Sequence, residues 1–516
     1  MTRRRFPLGR VSAVLAPIAL FVALLSWAFA SPLGASPDDQ YHMPSIWCGQ
    51  GLRDGLCEAG ATPQAREVPK SLSYSSVCFA FDGDQSASCT EPVSTALVET
   101  KEGNFVGDYP PVYYMTMSLF ASTHIEVSVL AMRALNAALF VGVMFALFLL
   151  LPKRRRGAFV WGGLAAIVPL GMFLISSVNP SSWAILSAFA LWHALVGYFE
   201  ATDRRRRIAF GAIATLTTVM GSGARSDSAV YSGIAVVVAC VLTAQRTRSW
   251  AKLAILPAAF VVVAAVFFLA AGQSSIVDPG ATGGTTSLGS ALALTAADLA
   301  LLPQLWTGAL GSVGLGWLDT TMPGIVWVSV VSVFVGFVFW GIQYLDRRKS
   351  IALSLVFGAL VVIPMYVLVK DGLMVGAGVQ PRYVYPLLIM FVSIALFRKN
   401  GDGPGLKRVH YYIAAISVGV ANAVALHVNL RRYVTGLDVN GVNLDAGKEW
   451  WWNVPFGAMT VWAVGVVSFG FVILLAVARF LPETTTARRG GLDGPMPSLD
   501  SLSTEPRGNG DTTPVG

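Results

Sequence analysis

The chain is a succession of apolar runs, each roughly 20 residues long, separated by short polar breaks. That is the length an α-helix needs to cross the hydrocarbon of a bilayer. The runs fall at roughly 11–31, 127–151, 157–176, 183–200, 208–223, 228–245, 251–271, 324–345, 351–369, 383–397, 409–427 and 454–480. They predict an all-α polytopic membrane protein with about 12 transmembrane helices. Composition agrees: of 516 residues, 54% are hydrophobic and 13% are charged, against about 25% charged in a soluble domain.

The formal net charge of +8 raises nucleic acid as a partner, but its distribution points elsewhere. Arg3-Arg4-Arg5 precede the first apolar run, and Lys153–Arg156, Arg204–Arg207, Arg246 with Arg248, Arg347-Arg348-Lys349, Arg398-Lys399 and Lys407-Arg408 lie between later ones. Placing them on one side puts about 26 basic residues inside and about 11 outside, as the positive-inside rule requires. No nucleic-acid partner is needed, and membrane lipids are the surroundings. The orientation makes both termini cytoplasmic. Residues 1–10 form a short cytoplasmic start, and 11–481 the polytopic domain. The stretch 482–516, rich in Thr, Gly, Pro and Ser, reads as a disordered cytoplasmic tail. The first run also resembles a signal peptide ending in Ala28-Phe29-Ala30, but it is longer than the usual apolar region of about 7–15 residues. Retention as an anchor is the preferred reading.

This topology leaves a long first outer loop, about 32–126, and a second, about 272–323. The first holds Cys48, Cys57, Cys78 and Cys89. An even count on an oxidising side predicts two disulfides, with three pairings open. The second begins with Gly280, Gly283, Gly284, Thr285 and Thr286. Its apolar stretch around 292–302 is too short for a span and reads as an interfacial or re-entrant helix. No CxxC or HExxH spacing marks a metal site. Trp450-Trp451-Trp452, in the last outer loop, reads as an interface anchor.

Chemistry-bearing residues gather at the outer ends. Asp38-Asp39-Gln40-Tyr41-His42 follows the first span, and Asp108-Tyr109-Pro110-Pro111-Val112-Tyr113-Tyr114 lies near the end of the first outer loop. Glu126, Arg133, Asn179, Arg225, Asp227, Lys370, Asp371 and Arg382 stand at other outer helix ends, where snorkelling and local pairing are the bland explanation. Ionisable groups at such places also mark binding or catalysis. The fixed charge and forked donors of Arg382 suit a phosphate.

Pro37–His42, Tyr109–Tyr114, Arg133, Gly316-Trp317-Leu318-Asp319 with Pro323, and Gln380-Pro381-Arg382-Tyr383-Val384-Tyr385-Pro386 occur in an order that resembles the bacterial membrane family called domain of unknown function 2142. That family in turn resembles the GT-C glycosyltransferases. The resemblance spans roughly residues 10–480. It implies a GT-C-like multi-helix fold, a polyprenyl-phosphate-linked sugar as donor, and Asp38 or Asp39 as the catalytic acid/base. The chain has Asp-Asp where Asp-Glu is expected and no large soluble carboxy-terminal domain.

The chemistry is consistent with that implication. Transfer of a sugar to a glycan or protein acceptor of the cell envelope needs a base for the acceptor proton and positive charge for the leaving phosphate. Asp38 and Asp39 are the candidate base, with His42 either to orient the acid or simply to make a local hydrogen bond in the loop. Arg382 is the first phosphate ligand, with Arg225 and Lys370 behind it. Tyr113 and Tyr114 are candidates to stack on a sugar ring, with an aromatic interface belt as the simpler explanation. Asp38 and Asp39 are also candidate oxygen ligands for Mg²⁺ or Mn²⁺. Two other classes stay open: an envelope polysaccharide polymerase or ligase, for which Arg431-Arg432 speaks, and a lipid-linked sugar transporter.

Overall fold

A computed structural model describes residues 8–272, 288–399, 401 and 403–482. The Arg3–Arg5 cluster, the glycine and threonine run at 280–286 and nearly all of the tail expected at 482–516 lie outside these residues.

The helices in chain order are α1 (Leu8–Phe29), α2 (Asp39–Trp47), α3 (Lys70–Tyr74), α4 (Val112–Met117), α5 (Ile125–Leu150), α6 (Lys153–Leu164), α7 (Leu170–Ile175), α8 (Ser181–Glu200), α9 (Arg204–Ser222) and α10 (Ser226–Thr243). They continue with α11 (Arg248–Leu253), α12 (Ile255–Ala270), α13 (Leu288–Leu301), α14 (Pro303–Thr307), α15 (Gly324–Ile342), α16 (Arg347–Asp371), α17 (Pro381–Leu396), α18 (Arg408–Val434) and α19 (Ala458–Phe480). Helix stands at each of the twelve expected positions. Among the described residues, eight stretches are long and apolar enough to cross a membrane: α5, α8, α10, the continuous stretch of α11 and α12, α15, α16, α18 and α19. The Val14–Phe29 part of α1 and the whole of α17 are apolar but shorter.

Two expected spans depart from a plain crossing. The run at 157–176 is broken: α6 stops at Leu164 and α7 starts at Leu170, after Pro169. Proline lacks the donor a continuing helix needs. The run at 208–223 belongs to α9, which starts within Arg204–Arg207 and carries their charge.

The central helices are α8, buried from Ser181 to Gly197, and α17, buried almost throughout. A helix apolar on all sides belongs inside a bundle. The α1 helix packs on α5 and α19, and Trp27 donates to Asn422 of α18 at 3.1 Å. One of its last carbonyls, which no helical N–H reaches, and two just beyond its end meet Arg133 of α5. That guanidinium donates to Ala28, Ser31 and Pro32 at 2.6–2.7 Å.

The first long loop contains a small antiparallel sheet of β1 (Glu58–Ala59), β2 (Arg66–Pro69) and β3 (Leu97–Thr100), in which Arg66 pairs with Thr100 and Pro69 with Leu97. Strands this short are below the length at which alternation can be read. Disulfides join Cys48 to Cys57 and Cys78 to Cys89. The apolar part of the second loop is α13, a 14-residue helix, shorter than the about 20 residues of a span.

Candidate active site

The segment before α2 is held from two sides. Asn179 donates to Pro37 O at 2.9 Å, and Trp317 donates to Gly34 O at 2.8 Å. Asp38 then takes a left-handed backbone (φ 61°) at the start of α2 without capping it. That conformation is uncommon outside glycine and typical of constrained sites. The turn sends the adjacent carboxylates to different surroundings.

Asp38 is 34% exposed and its Oδ2 accepts from Arg382 Nη2 at 2.6 Å. Asp39 is 1% exposed. Its Oδ2 accepts from Ser36 N at 3.0 Å, and its Oδ1 has no partner. Burial pushes the Asp39 carboxyl up to about 7, while the Arg133 charge pulls it down.

His42, fully buried, faces Tyr114 rather than either aspartate. Its Nδ1 lies 2.9 Å from the Tyr114 hydroxyl, and its Nε2 has no partner. Burial pushes the imidazole down to about 3, opposed by the Asp38 charge and reinforced by Arg225 and Arg382. Of the two roles expected of His42, the hydrogen bond it makes is the local one, to a tyrosine.

Two buried guanidiniums share one ring. Arg382 and Arg225 stand 5.0 and 4.9 Å from the centroid of Tyr383. Arg382 reaches Asp38 and the Tyr383 hydroxyl through Nη2, leaving Nε and Nη1 unpartnered. Arg225 binds Asp227 through Nε and Nη2, both at 2.9 Å, leaving Nη1 unpartnered. Buried donors without acceptors are costly and ask for an anion. A narrow crevice of about 20 Å³ runs beside Arg382, lined by Pro37, Gly308, Gly314, Gln380 and Pro381. Gly314 is required here, since a Cβ would lie 2.5 Å from Leu318 O.

The other expected members fall elsewhere. Tyr113 and Tyr114 are 0% and 2% exposed. Their rings pack on each other, and Tyr113 also packs on Trp183. Both rings are buried by their neighbours. Lys370 occupies the last turn of α16. No three His, Cys, Asp or Glu side chains among the described residues gather as metal ligands. With Asp39 buried and Asp38 bound to a cation, the pair does not fit a Mg²⁺ or Mn²⁺ site.

Two motifs prove to be staples. Asp319 and Arg432 form an almost fully buried pair at 2.8 Å. Arg432 also donates to the carbonyls of Phe79 and Gln85, and Asp319 accepts from Phe81 N. Arg431 donates to the carbonyls of Gly441 and Asn443. Both arginines hold loops, so the feature that spoke for a polymerase is accounted for.

Sequence reasoning missed Tyr41, Tyr109 and Tyr383 as a group. Tyr41 donates to Asp108 at 3.3 Å. The Tyr109 ring lies 5.4 Å from Tyr41, 5.6 Å from His42 and 5.8 Å from the Arg225 guanidinium. All three stand inside the quoted motifs; tyrosines beside an acidic cluster were the available signal.

The family described as "Predicted membrane protein (DUF2142)" matches residues 20–391. The chain is thus a multi-pass membrane protein and belongs to that family. No curated protein and no solved structure matches it.

Proposed function

We propose that the protein is a GT-C-like integral membrane glycosyltransferase. It moves a sugar from a polyprenyl-phosphate donor to a cell-envelope acceptor on the outer face. The observation that carries this reading is the pair of buried arginines on Tyr383 with three unpartnered N–H nitrogens, one of the arginines bonded to the half-exposed Asp38. A phosphate fits that donor set, and a carboxylate beside it fits an acceptor proton.

In this reading the donor phosphate exchanges with Asp38 for Arg382. Asp38, thereby released, accepts the proton of the acceptor hydroxyl. The hydroxyl oxygen bonds to the anomeric carbon as the bond to the phosphate oxygen breaks. The electron pair leaves on polyprenyl phosphate, and Arg382 and Arg225 stabilise its charge. Asp38 is the reacting carboxylate because solvent reaches it. Asp39 is a positioning residue that holds Ser36 N, and the neutral His42 supports the wall through Tyr114.

The test is binding of polyprenyl phosphate to purified protein. One charge-assisted hydrogen bond contributes about 1.5–3 kcal/mol, so Arg382→Ala should weaken binding about 10–100-fold. Arg382→Lys keeps the charge and loses the fork, so it should fall between. Unchanged binding by Arg382→Ala would remove the phosphate role.

A further inference from the structure

The membrane end opposite the Asp38 cluster carries a groove that plays no part in the proposed reaction. It lies among α1, α5, α6 and α19, encloses about 160 Å³, and its walls include Leu20, Val141, Met144, Phe148 and Ala476. All are apolar. Pro17 and Gly163 also face it, so two helices present little side-chain bulk there. The groove includes one charged residue, Arg479, beside Phe480.

Arg479 is one of three arginines that converge beside the groove. Arg156 and Arg479 stand 4.9 and 5.8 Å from the centroid of Phe148, a wall of the groove. Arg156 lies close enough to Arg479 and Arg206 to be repelled by both. Arg156 is anchored on the last carbonyls of α5: Nε donates to Leu151 O at 3.0 Å and Nη2 to Leu149 O at 2.8 Å. Arg206 donates to Leu150 O. Helix C-termini attract cations, which explains why the arginines converge. Among the described residues, none of the three is ion-paired with a carboxylate. By contrast, neighbouring Arg155 is bonded to Glu200 at 2.6 Å.

An apolar slot that opens beside an unneutralised triple positive charge matches one molecule of the surroundings in both parts. We propose that the groove is a binding site for an anionic phospholipid. One acyl chain lies along Leu20, Val141, Met144 and Phe148, and the headgroup phosphate sits among Arg156, Arg206 and Arg479. A zwitterionic lipid offers the same chain but cancels its phosphate with its own ammonium. The site is independent of the glycosyltransferase reading. It lies at the other end of the bundle and shares no residue with the Asp38 cluster.

The experiment titrates detergent-purified protein with phosphatidylglycerol and, in parallel, with phosphatidylcholine of the same chains, counting bound lipid by native mass spectrometry. Wild type should bind the first phosphatidylglycerol about 10-fold or more tightly than phosphatidylcholine, the scale of one charge-assisted contact. Arg156→Ala with Arg479→Ala should remove that preference. Leu20→Trp, which fills the groove and leaves the arginines in place, should also remove the first tight site. A Lys153→Ala control, away from the groove walls, should bind as wild type does. Circular dichroism on each variant separates loss of binding from loss of fold, and Leu20→Phe replaces Leu20→Trp if the latter does not fold. Equal affinity for the two lipids overturns the proposal. So does a double arginine variant that keeps the preference. Tight binding that survives the filled groove reduces the site to surface charge attraction and also overturns it.

Discussion

Asp39 and His42 are buried three residues apart, and each prefers its neutral form, so their effects on stability oppose each other. The Asp39 carboxyl is raised from 3.8 to about 7 by burial, against the pull of Arg133. Between those values the folded protein holds a proton that the unfolded chain has lost. Stability therefore falls as pH rises across this window. The His42 imidazole is lowered from 6.5 to about 3 by burial. Between those values the unfolded chain holds a proton that the folded protein lacks, and stability rises with pH. Each slope is at most about 1.4 kcal/mol per pH unit. From pH 4 to pH 6.5 the two contributions nearly cancel, with about 3 kcal/mol hidden on each side. Removing one partner exposes the other. Asp39→Asn keeps the shape and the acceptor oxygen for Ser36 N. That variant should gain stability on going from pH 4 to pH 6.5. His42→Gln should lose stability over the same interval, and wild type should change less than either. The assay is the thermal unfolding midpoint in a mild detergent, read by intrinsic tryptophan fluorescence at half-unit pH steps. Parallel curves for wild type and Asp39→Asn would refute a buried, neutral-preferring Asp39.

Asp319→Ala leaves Arg432 buried without its carboxylate and should cost about 3–5 kcal/mol, measured as a lowered unfolding midpoint. Activity per folded molecule should change little, because the pair staples loops. The basic clusters are expected on the cytoplasmic side, so the introduced thiol of Arg205→Cys should escape a membrane-impermeant maleimide in intact cells. Its labelling there would invert the proposed topology.

The bundle was legible because a bilayer imposes a length and polarity that survive any detail of packing. Every expected span has a helix. The break at Pro169 was missed because the apolar pattern runs through it. The acidic pair and Arg382 stood out because charge at a helix end is costly. What sequence did not convey is which carboxylate is open. How the two diverge involves the left-handed backbone of Asp38 and the anchoring of the preceding segment by Asn179 and Trp317, from 142 and 283 residues away. Arg431-Arg432 and Gly316-Trp317-Leu318-Asp319 drew the same attention as the site residues, since distant carbonyl partners leave no local signature. Tyr113 and Tyr114 drew attention as aromatics beside an acidic residue, but they are buried against each other and Trp183.

The central claim is that Asp38 takes the acceptor proton while Arg382 and Arg225 hold the leaving phosphate. The direct measurement is release of polyprenyl phosphate from a polyprenyl-phosphate sugar, with an envelope glycan acceptor, in membranes carrying wild type or Asp38→Asn at equal expression. Asp38→Asn should bind the donor and lose about 10²–10⁴-fold in rate, the scale of acid–base catalysis. Turnover near wild type in Asp38→Asn would contradict the account.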